Sequence, residues 1–145
     1  MSKIQKLSDL EPQIPFSEFD FYKRYEQSFY ASELGQLFCA IPFSSLADSL
    51  RLKDSRKGRN SYFSPEGKLA LMFLKSYSGL SDSALIENLN GNIHYQYFCG
   101  VRINPQSPLT NFKIVSGIRC EIASALDIDR LQEALSFYHS IRLFF

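Results

Sequence analysis

The sequence predicts an all-α fold: a compact multi-helix domain that contains a helix-turn-helix-like trio and follows a flexible N-terminal arm. Apolar residues recur at helical spacing in several segments, and no segment alternates as a strand would. Serine or aspartate precedes most of these segments, and glycine or proline follows most of them. With 145 residues, 45% of them hydrophobic, the chain can bury one core. We therefore expect one folded domain over residues 16–145 after an arm at residues 1–15.

The first predicted helices are rich in aromatic residues. The arm has scattered charge and two prolines, and Ser17 opens a helix in which rings recur at helical spacing, at Phe19, Tyr22, Tyr25 and Phe29 (with Glu26 as an alternative to Tyr25). Such a stripe could stack on nucleic-acid bases, but it is more often part of a core, and we expect core. Ser32 is expected to cap a short helix that runs to Ala40. Ser44 or Ser45 is expected to cap another that runs to Leu52.

The centre of the sequence is the segment from Ser64 to Gly100. Ser64 and Pro65 form a good helix start, and the almost entirely apolar residues 65–77 predict a core helix surrounded by other elements. A second helix, capped by Ser81 or Asp82, is expected to end near residues 90–91. A third, over residues 93–98, is closed by Gly100. Three helices joined by two tight turns in so short a segment are typical of a helix-turn-helix type unit.

The C-terminal part predicts a long helix and a last one. Thr110 is expected to cap the long helix, whose apolar arc over residues 111–126 comprises Ile114, Val115, Ile118, Ile122, Ala125 and Leu126. Arg119 lies near the edge of this arc, so it must snorkel, pair with a carboxylate or face a ligand. Asp129 begins the last helix, which becomes more apolar towards Phe145. We interpret this apolar end as a reading frame cut short.

Composition excludes several classes of protein. The net charge is +1, so any basic surface must be local. Cys39, Cys99 and Cys120 are odd in number and far apart, which predicts reduced, buried thiols in a cytoplasmic protein. No apolar run is long enough to span a bilayer, and no signal peptide is evident. His94 and His139 lie at no metal-ligand spacing with the cysteines, so we expect no metal site. No set of nucleophile, base and orienting residue can be placed from the sequence either. We therefore expect no catalytic residues, no cofactor and no small-molecule substrate.

A basic segment, residues 51–59, precedes the core helix. It reads RLKDSRKGR, five basic residues against one acidic residue. Arginine and lysine attract a polyanion regardless of its sequence, so the segment could contact phosphates. The alternative is a solvated linker, and the two readings are about equally good beside a helix-turn-helix-like trio.

Several motifs in the residues above also resemble a known family. The run from Lys68 to Val101, with GQLFCAIPFSSLA upstream and PLTNFKIVSGIRCEIASALDIDRLQ downstream, is similar to the N-terminal helical domain of DDE-class bacterial insertion-sequence transposases. The likeness covers roughly residues 30–135. Its most specific elements are the core helix, the turn Gly79-Leu80-Ser81-Asp82 and the aromatic pair before Gly100. Thr110, Phe112 and Arg119 partly reproduce a further motif of the family.

The resemblance implies a role in DNA transposition. In that family the helical domain helps to bind the terminal repeats of the element and to pair subunits. A separate RNase-H-like domain holds the catalytic carboxylates and two magnesium ions. That catalytic part is missing from this sequence, so the resemblance implies a truncated, non-catalytic chain. Its expected partner is double-stranded DNA. It is expected to act in the cytoplasm, at the nucleoid when bound, with no membrane partner.

Two hypotheses follow. In the first, the chain is a DNA-binding module in which the basic segment contacts phosphates and polar side chains of the later helices approach bases. The residues concerned are Arg56, Lys57, Arg59, Asn92, His94, Gln96, Arg102 and Lys113, with Arg119 as a further candidate. In the second, it is an assembly module that forms homo-oligomers, or that inhibits full-length transposase by forming mixed oligomers with it.

Overall fold

The computed structural model describes residues 18–52 and 62–126, with side chains described from residue 22 onward. The described residues form helices and connecting turns, with no strand among them. The all-α prediction is therefore confirmed. The helices are α1 (Glu18–Ala31), α2 (Glu33–Ala40), α3 (Phe43–Ser49), α4 (Pro65–Ser78), α5 (Asp82–Gly91), α6 (Ile93–Cys99) and α7 (Lys113–Ala125).

Helix α4 begins and ends as the sequence predicts. The Ser64 hydroxyl accepts a hydrogen bond from the Gly67 amide at 3.1 Å, and Pro65 occupies the first turn, where an amide would have no helical partner. Gly79 ends the helix at φ 67°, a left-handed conformation that glycine adopts without steric cost. Helices α5 and α6 also begin at predicted places, since Ser81 and Asn92 cap them through their side chains.

Two helices share the centre of the fold. Helix α4 packs against α3, α5, α6 and α7, and α6 packs against α1, α2, α4 and α5. Gly67 allows α4 and α6 to approach closely, because a Cβ built there would lie 2.5 Å from the Cys99 carbonyl oxygen. Leucines and phenylalanines fill the space between the helices, and those less than 2% exposed include Phe29, Phe63, Leu71, Leu74, Leu85, Leu89 and Phe98.

Helix α1 is held to α6 by rings and hydrogen bonds. The ring of Phe29 stacks on Tyr97, with centroids 5.4 Å apart, and the Tyr97 hydroxyl donates to the Tyr22 carbonyl. The Tyr22 hydroxyl in turn donates to the Gln96 side chain at 2.8 Å. The predicted docking of α1 by its rings is thus confirmed at Tyr22 and Phe29, whereas Tyr25 lies 38% exposed.

Two predicted helix starts and two predicted burials are wrong. Pro42 takes the N-cap position of α3 without a side-chain cap, ahead of the expected serines. Helix α7 begins at Lys113, whose amide donates to the Asn111 side chain, so Thr110 does not cap it. Phe112 is the N-cap residue of α7 and makes no side-chain cap, so the Asn111 side chain serves the Lys113 amide from one position before the cap. Of the cysteines, Cys99 is buried, but Cys39 and Cys120 are exposed.

Several predictions concern residues outside the described part of the chain. These are the arm at residues 1–15, the greater part of the basic segment and the last helix that was expected from Asp129.

Candidate nucleic-acid interface

The predicted DNA-contacting residues occupy different parts of the fold. Arg56, Lys57 and Arg59 fall between residues 53 and 61, outside the described residues. The structure does describe the residues on either side of this gap. Arg51 follows α3 and is exposed, with φ 51°, and Phe63 at the other end is buried against α4. A Cβ built on Gly67 would lie 3.6 Å from the Phe63 Cβ, which places Phe63 beside the last turn of α6.

Arg102 lies near this same end of α6. It follows the C-cap Gly100 by two residues, and its side chain is exposed. Its guanidinium carbon lies 5.9 Å from the centroid of the Tyr22 ring, a cation–π distance. The next two residues of α1, Lys23 and Arg24, are exposed as well. The start of α1, through Tyr22, and the residues that follow the basic segment, through Phe63, thus each lie beside the last turns of α6.

Gln96 serves the interior of the protein. Only 3% of this residue is exposed. Its amide nitrogen donates to the carbonyls of Leu89 (2.9 Å) and Asn90 (3.3 Å). Its oxygen accepts from the Tyr22 hydroxyl and from the Ile103 amide. Every hydrogen-bonding position of the amide group faces the protein, so in this structure Gln96 joins α1, α5, α6 and the following loop and leaves none of these atoms for a base.

Asn92 and His94 also make contacts within the protein. The Asn92 side chain accepts from the Tyr95 amide at 3.2 Å and so caps α6. The His94 ring lies edge-on to Phe29 with centroids 5.8 Å apart, and its Nε2 lies 3.3 Å from the Ser28 hydroxyl. Both residues are only partly exposed. Sequence reasoning could place them on α6 but not show which face meets α1.

Arg119 is held by a carboxylate. Its Nη2 lies 2.8 Å from Asp82 Oδ1, and Lys75 Nζ approaches the same oxygen at 2.9 Å. The hydrogen bond from Lys75, and then that from Arg119, hold the pKa of Asp82 below its ordinary value, although partial burial opposes the shift. Of the three environments considered for Arg119, the structure shows pairing. Asp82 thereby joins α4, α5 and α7.

A second ion pair attaches α7 to the start of α4. Lys68 is 4% exposed, and its Nζ lies 2.9 Å from Glu121 Oε1. No pattern in the sequence indicates this pair, because Lys68 and Glu121 are 53 positions apart. Lys113, by contrast, is exposed at the start of α7. It follows Leu109, whose backbone is hydrogen-bonded to the side chain of Asn90 in the last turn of α5, just before α6 begins.

The described residues show neither a metal-binding cluster nor a membrane span. Across residues 18–52 and 62–126, no group of three or more histidine, cysteine, aspartate or glutamate side chains is arranged to hold a metal ion. Within the same ranges, no helix combines the length and the apolar character needed to cross a bilayer.

Comparison with known proteins identifies the family. The family model described as Transposase domain (DUF772) matches residues 23–121, which is more than half of the chain. The match runs from α1 to the last turns of α7 and includes the whole α4–α6 trio. No curated protein and no solved structure gave a match. The resemblance to insertion-sequence transposases is thus confirmed, and the chain belongs to the transposase domain family.

Proposed function

We propose that this chain is a DNA-binding domain that acts in transposition by recognising the terminal repeats of an insertion element. The proposed interface lies at the C-terminal end of α6. It comprises Arg102, the neighbouring start of α1 and the basic segment with Arg56, Lys57 and Arg59. We include the α4–α6 trio as its helix-turn-helix-like support.

The position of Phe63 favours the C-terminal end of α6. Phe63 is packed beside the last turn of α6, and Arg102 follows that turn directly. Because Arg59 is four residues from Phe63, its side chain can lie within roughly 14 Å of this end even if the intervening chain is extended. Basic residues that are scattered in the sequence can therefore act on one stretch of phosphate backbone, where each contact adds attraction by releasing a counterion.

The roles within the interface differ. We assign Arg56, Lys57 and Arg59 to phosphate contacts that position the domain on DNA of any sequence. Arg102 has the planar donor pattern that suits either a phosphate or the major-groove edge of guanine. Asn92, His94, Gln96 and Arg119 are left out because each is held within the protein. Lys113 is left out because it lies towards the other end of α6.

The proposal is tested by the salt dependence of binding. In a mobility-shift or anisotropy titration with duplex DNA, changing Arg56, Lys57 and Arg59 together to alanine should reduce the slope of log K against log salt by roughly 3. Arg102→Ala should reduce it by about 1. Lys113→Ala is the matched control, an exposed basic residue outside the interface, and should leave the slope unchanged.

Other outcomes would redirect the proposal. An unchanged slope in the triple variant would remove the basic segment from the interface. A wild-type chain that shows concentration-dependent mass in sedimentation but no affinity for DNA would instead favour the assembly module.

We also propose that the chain alone does not cut or join DNA. Two-metal strand transfer requires a cluster of carboxylates on a rigid scaffold, which the family resemblance assigns to a separate domain. Purified chain incubated with supercoiled plasmid and magnesium or manganese should leave the plasmid intact. Nicking that is abolished by a metal chelator and that follows the protein through purification would refute this.

A further inference from the structure

The backbone that carries Arg102 is fixed on both sides by one glutamine. The Val101 amide donates to the Gln96 carbonyl at 3.0 Å, and the Ile103 amide donates to the Gln96 side-chain oxygen at 3.3 Å. Gln96 is itself buried, so these two bonds are shielded from water. Because they enclose Arg102, they hold its Cα in place relative to α6.

The side chain of Arg102 lies over a ring that is held to the same glutamine. Its guanidinium carbon is 5.9 Å from the centroid of the Tyr22 ring. The Tyr22 hydroxyl donates to the Gln96 oxygen at 2.8 Å, and the Tyr22 carbonyl accepts from the Tyr97 hydroxyl. Gln96 thereby sets the positions of both the ring and the backbone of the arginine that lies over it.

The loop that follows Arg102 is fixed at its far end as well. The Leu109 amide donates to the Asn90 side-chain oxygen at 2.9 Å, and the Leu109 carbonyl accepts from the Asn90 side-chain nitrogen at 2.8 Å. Within the loop, the Ser107 amide donates to the Asn104 carbonyl at 2.9 Å and closes a turn. A rigid support of this kind suits a specific contact, because a site that is about 1 Å too loose loses its geometry.

A fixed position matters differently for the two contacts that an arginine can make with DNA. Phosphates repeat along the backbone and attract any nearby cation, so a mobile side chain is sufficient for them. The O6 and N7 atoms of guanine accept two parallel hydrogen bonds, which requires a guanidinium in the correct plane. A cation–π contact holds Arg102 without using an N–H donor, whereas Arg119 donates to Asp82.

We propose that Arg102 reads one guanine in the major groove of duplex DNA and that Tyr22 positions it for this contact. The inference rests on the proposed DNA binding, in which the basic segment keeps the phosphate contacts. Holding the guanidinium over the ring beforehand reduces the entropy that it loses on binding. A guanidinium in the groove still lies between two phosphate backbones and releases counterions, so the salt slope does not distinguish the two roles. The preference for one base does.

The preference for guanine is measured with the full-length chain. Selection from a pool of random duplexes identifies the preferred sequence, and the affinity is then measured with each of its G·C pairs changed in turn to A·T, at one salt concentration. At one of these pairs, the change should weaken wild-type binding at least about fivefold. Arg102→Lys keeps the charge but not the planar donors, so the same change should weaken its binding less than about twofold.

Two substitutions of Tyr22 test its positioning role. Tyr22→Leu removes the ring and should reduce the guanine preference to less than about twofold, as Arg102→Lys does. Tyr22→Phe is the matched control: it keeps the ring and the backbone bond from Tyr97, so it should keep the preference. Circular dichroism establishes that each variant is folded at the assay temperature. Arg102→Lys changes an exposed side chain, so it tests the guanine contact even if Tyr22→Leu does not fold.

The outcomes separate this inference from DNA binding itself. A wild-type chain that binds all duplexes alike would overturn the guanine contact but leave DNA binding intact. A guanine preference that Arg102→Lys retains in full would overturn it too. Equal loss in Tyr22→Phe and Tyr22→Leu would overturn the positioning role of the ring. A wild-type chain with no affinity for any duplex would instead refute the proposed function.

Discussion

The interior role of Gln96 makes a quantitative prediction about stability. Replacing Gln96 by alanine deprives the Leu89 carbonyl and the Ile103 amide of a partner, and both hydrogen bonds are buried. An unsatisfied buried group costs about 1–3 kcal/mol, so the two together should lower the free energy of unfolding by about 2–6 kcal/mol. The Tyr22 hydroxyl adds little, because it is only partly buried and can turn to water. We expect a loss of about 3 kcal/mol, after some relaxation of the site.

Urea unfolding followed by circular dichroism measures this loss. Gln36→Ala is the matched control, because Gln36 is also helical but exposed, and it should change the free energy of unfolding by less than about 0.5 kcal/mol. Tyr22→Phe should cost about 1 kcal/mol, since it removes a single hydrogen bond. The reasoning fails if Gln96→Ala costs less than about 1 kcal/mol. A variant of normal stability with weakened DNA binding would return Gln96 to the interface.

Three further predictions concern packing, pH and thiol reactivity. Gly35→Ala should destabilise the fold by at least about 2 kcal/mol, because the new Cβ would lie 1.9 Å from the Phe29 carbonyl oxygen. Gly117→Ala should instead stabilise it by about 0.5–1 kcal/mol in the same urea assay, because nothing lies within 4 Å of the new Cβ. The lowered pKa of Asp82 means that its ion pairs stabilise the protein above pH 3.8 and are lost as the pH falls through the folded-state pKa. Asp82→Asn should therefore reduce the loss of unfolding free energy that accompanies acidification. An unchanged dependence of stability on acidic pH would contradict the pairing. Ellman's reagent should titrate two thiols at once and Cys99 only in denaturant; immediate reaction of all three would show that Cys99 is accessible.

The sequence predicted most reliably the features that neighbouring residues determine. The cap at Ser64, the turn at Gly79 and the closure at Gly100 each depend on chemistry within four residues, and all three were predicted in place. The start of α7 was harder because several nearby residues could cap it. The helix begins at Lys113 behind an N-cap residue, Phe112, that has no side-chain cap, and the preceding loop is held by the bond between Leu109 and Asn90.

The environment of the candidate site residues depends on contacts between distant parts of the chain. Gln96 looks like a surface residue on its own helix and is buried only because Tyr22 and Ile103 close over it. Arg119 finds Asp82 at a separation of 37 positions. The proximity of Arg102 to α1 has the same origin. Periodicity can place such residues on an element but carries no information about which distant element will face them.

The bond between Tyr22 and Gln96 has a consequence for the order in which the protein folds. It closes a loop of 74 residues, whereas α4, α5 and α6 meet within a segment half that length. The entropy of loop closure must be overcome before a distant contact can form, so short-range contacts are favoured early. We therefore expect the α4–α6 trio to be structured in the folding transition state and α1 to dock later. Substitutions in α1 should then speed unfolding, while substitutions between α4 and α6 should slow folding.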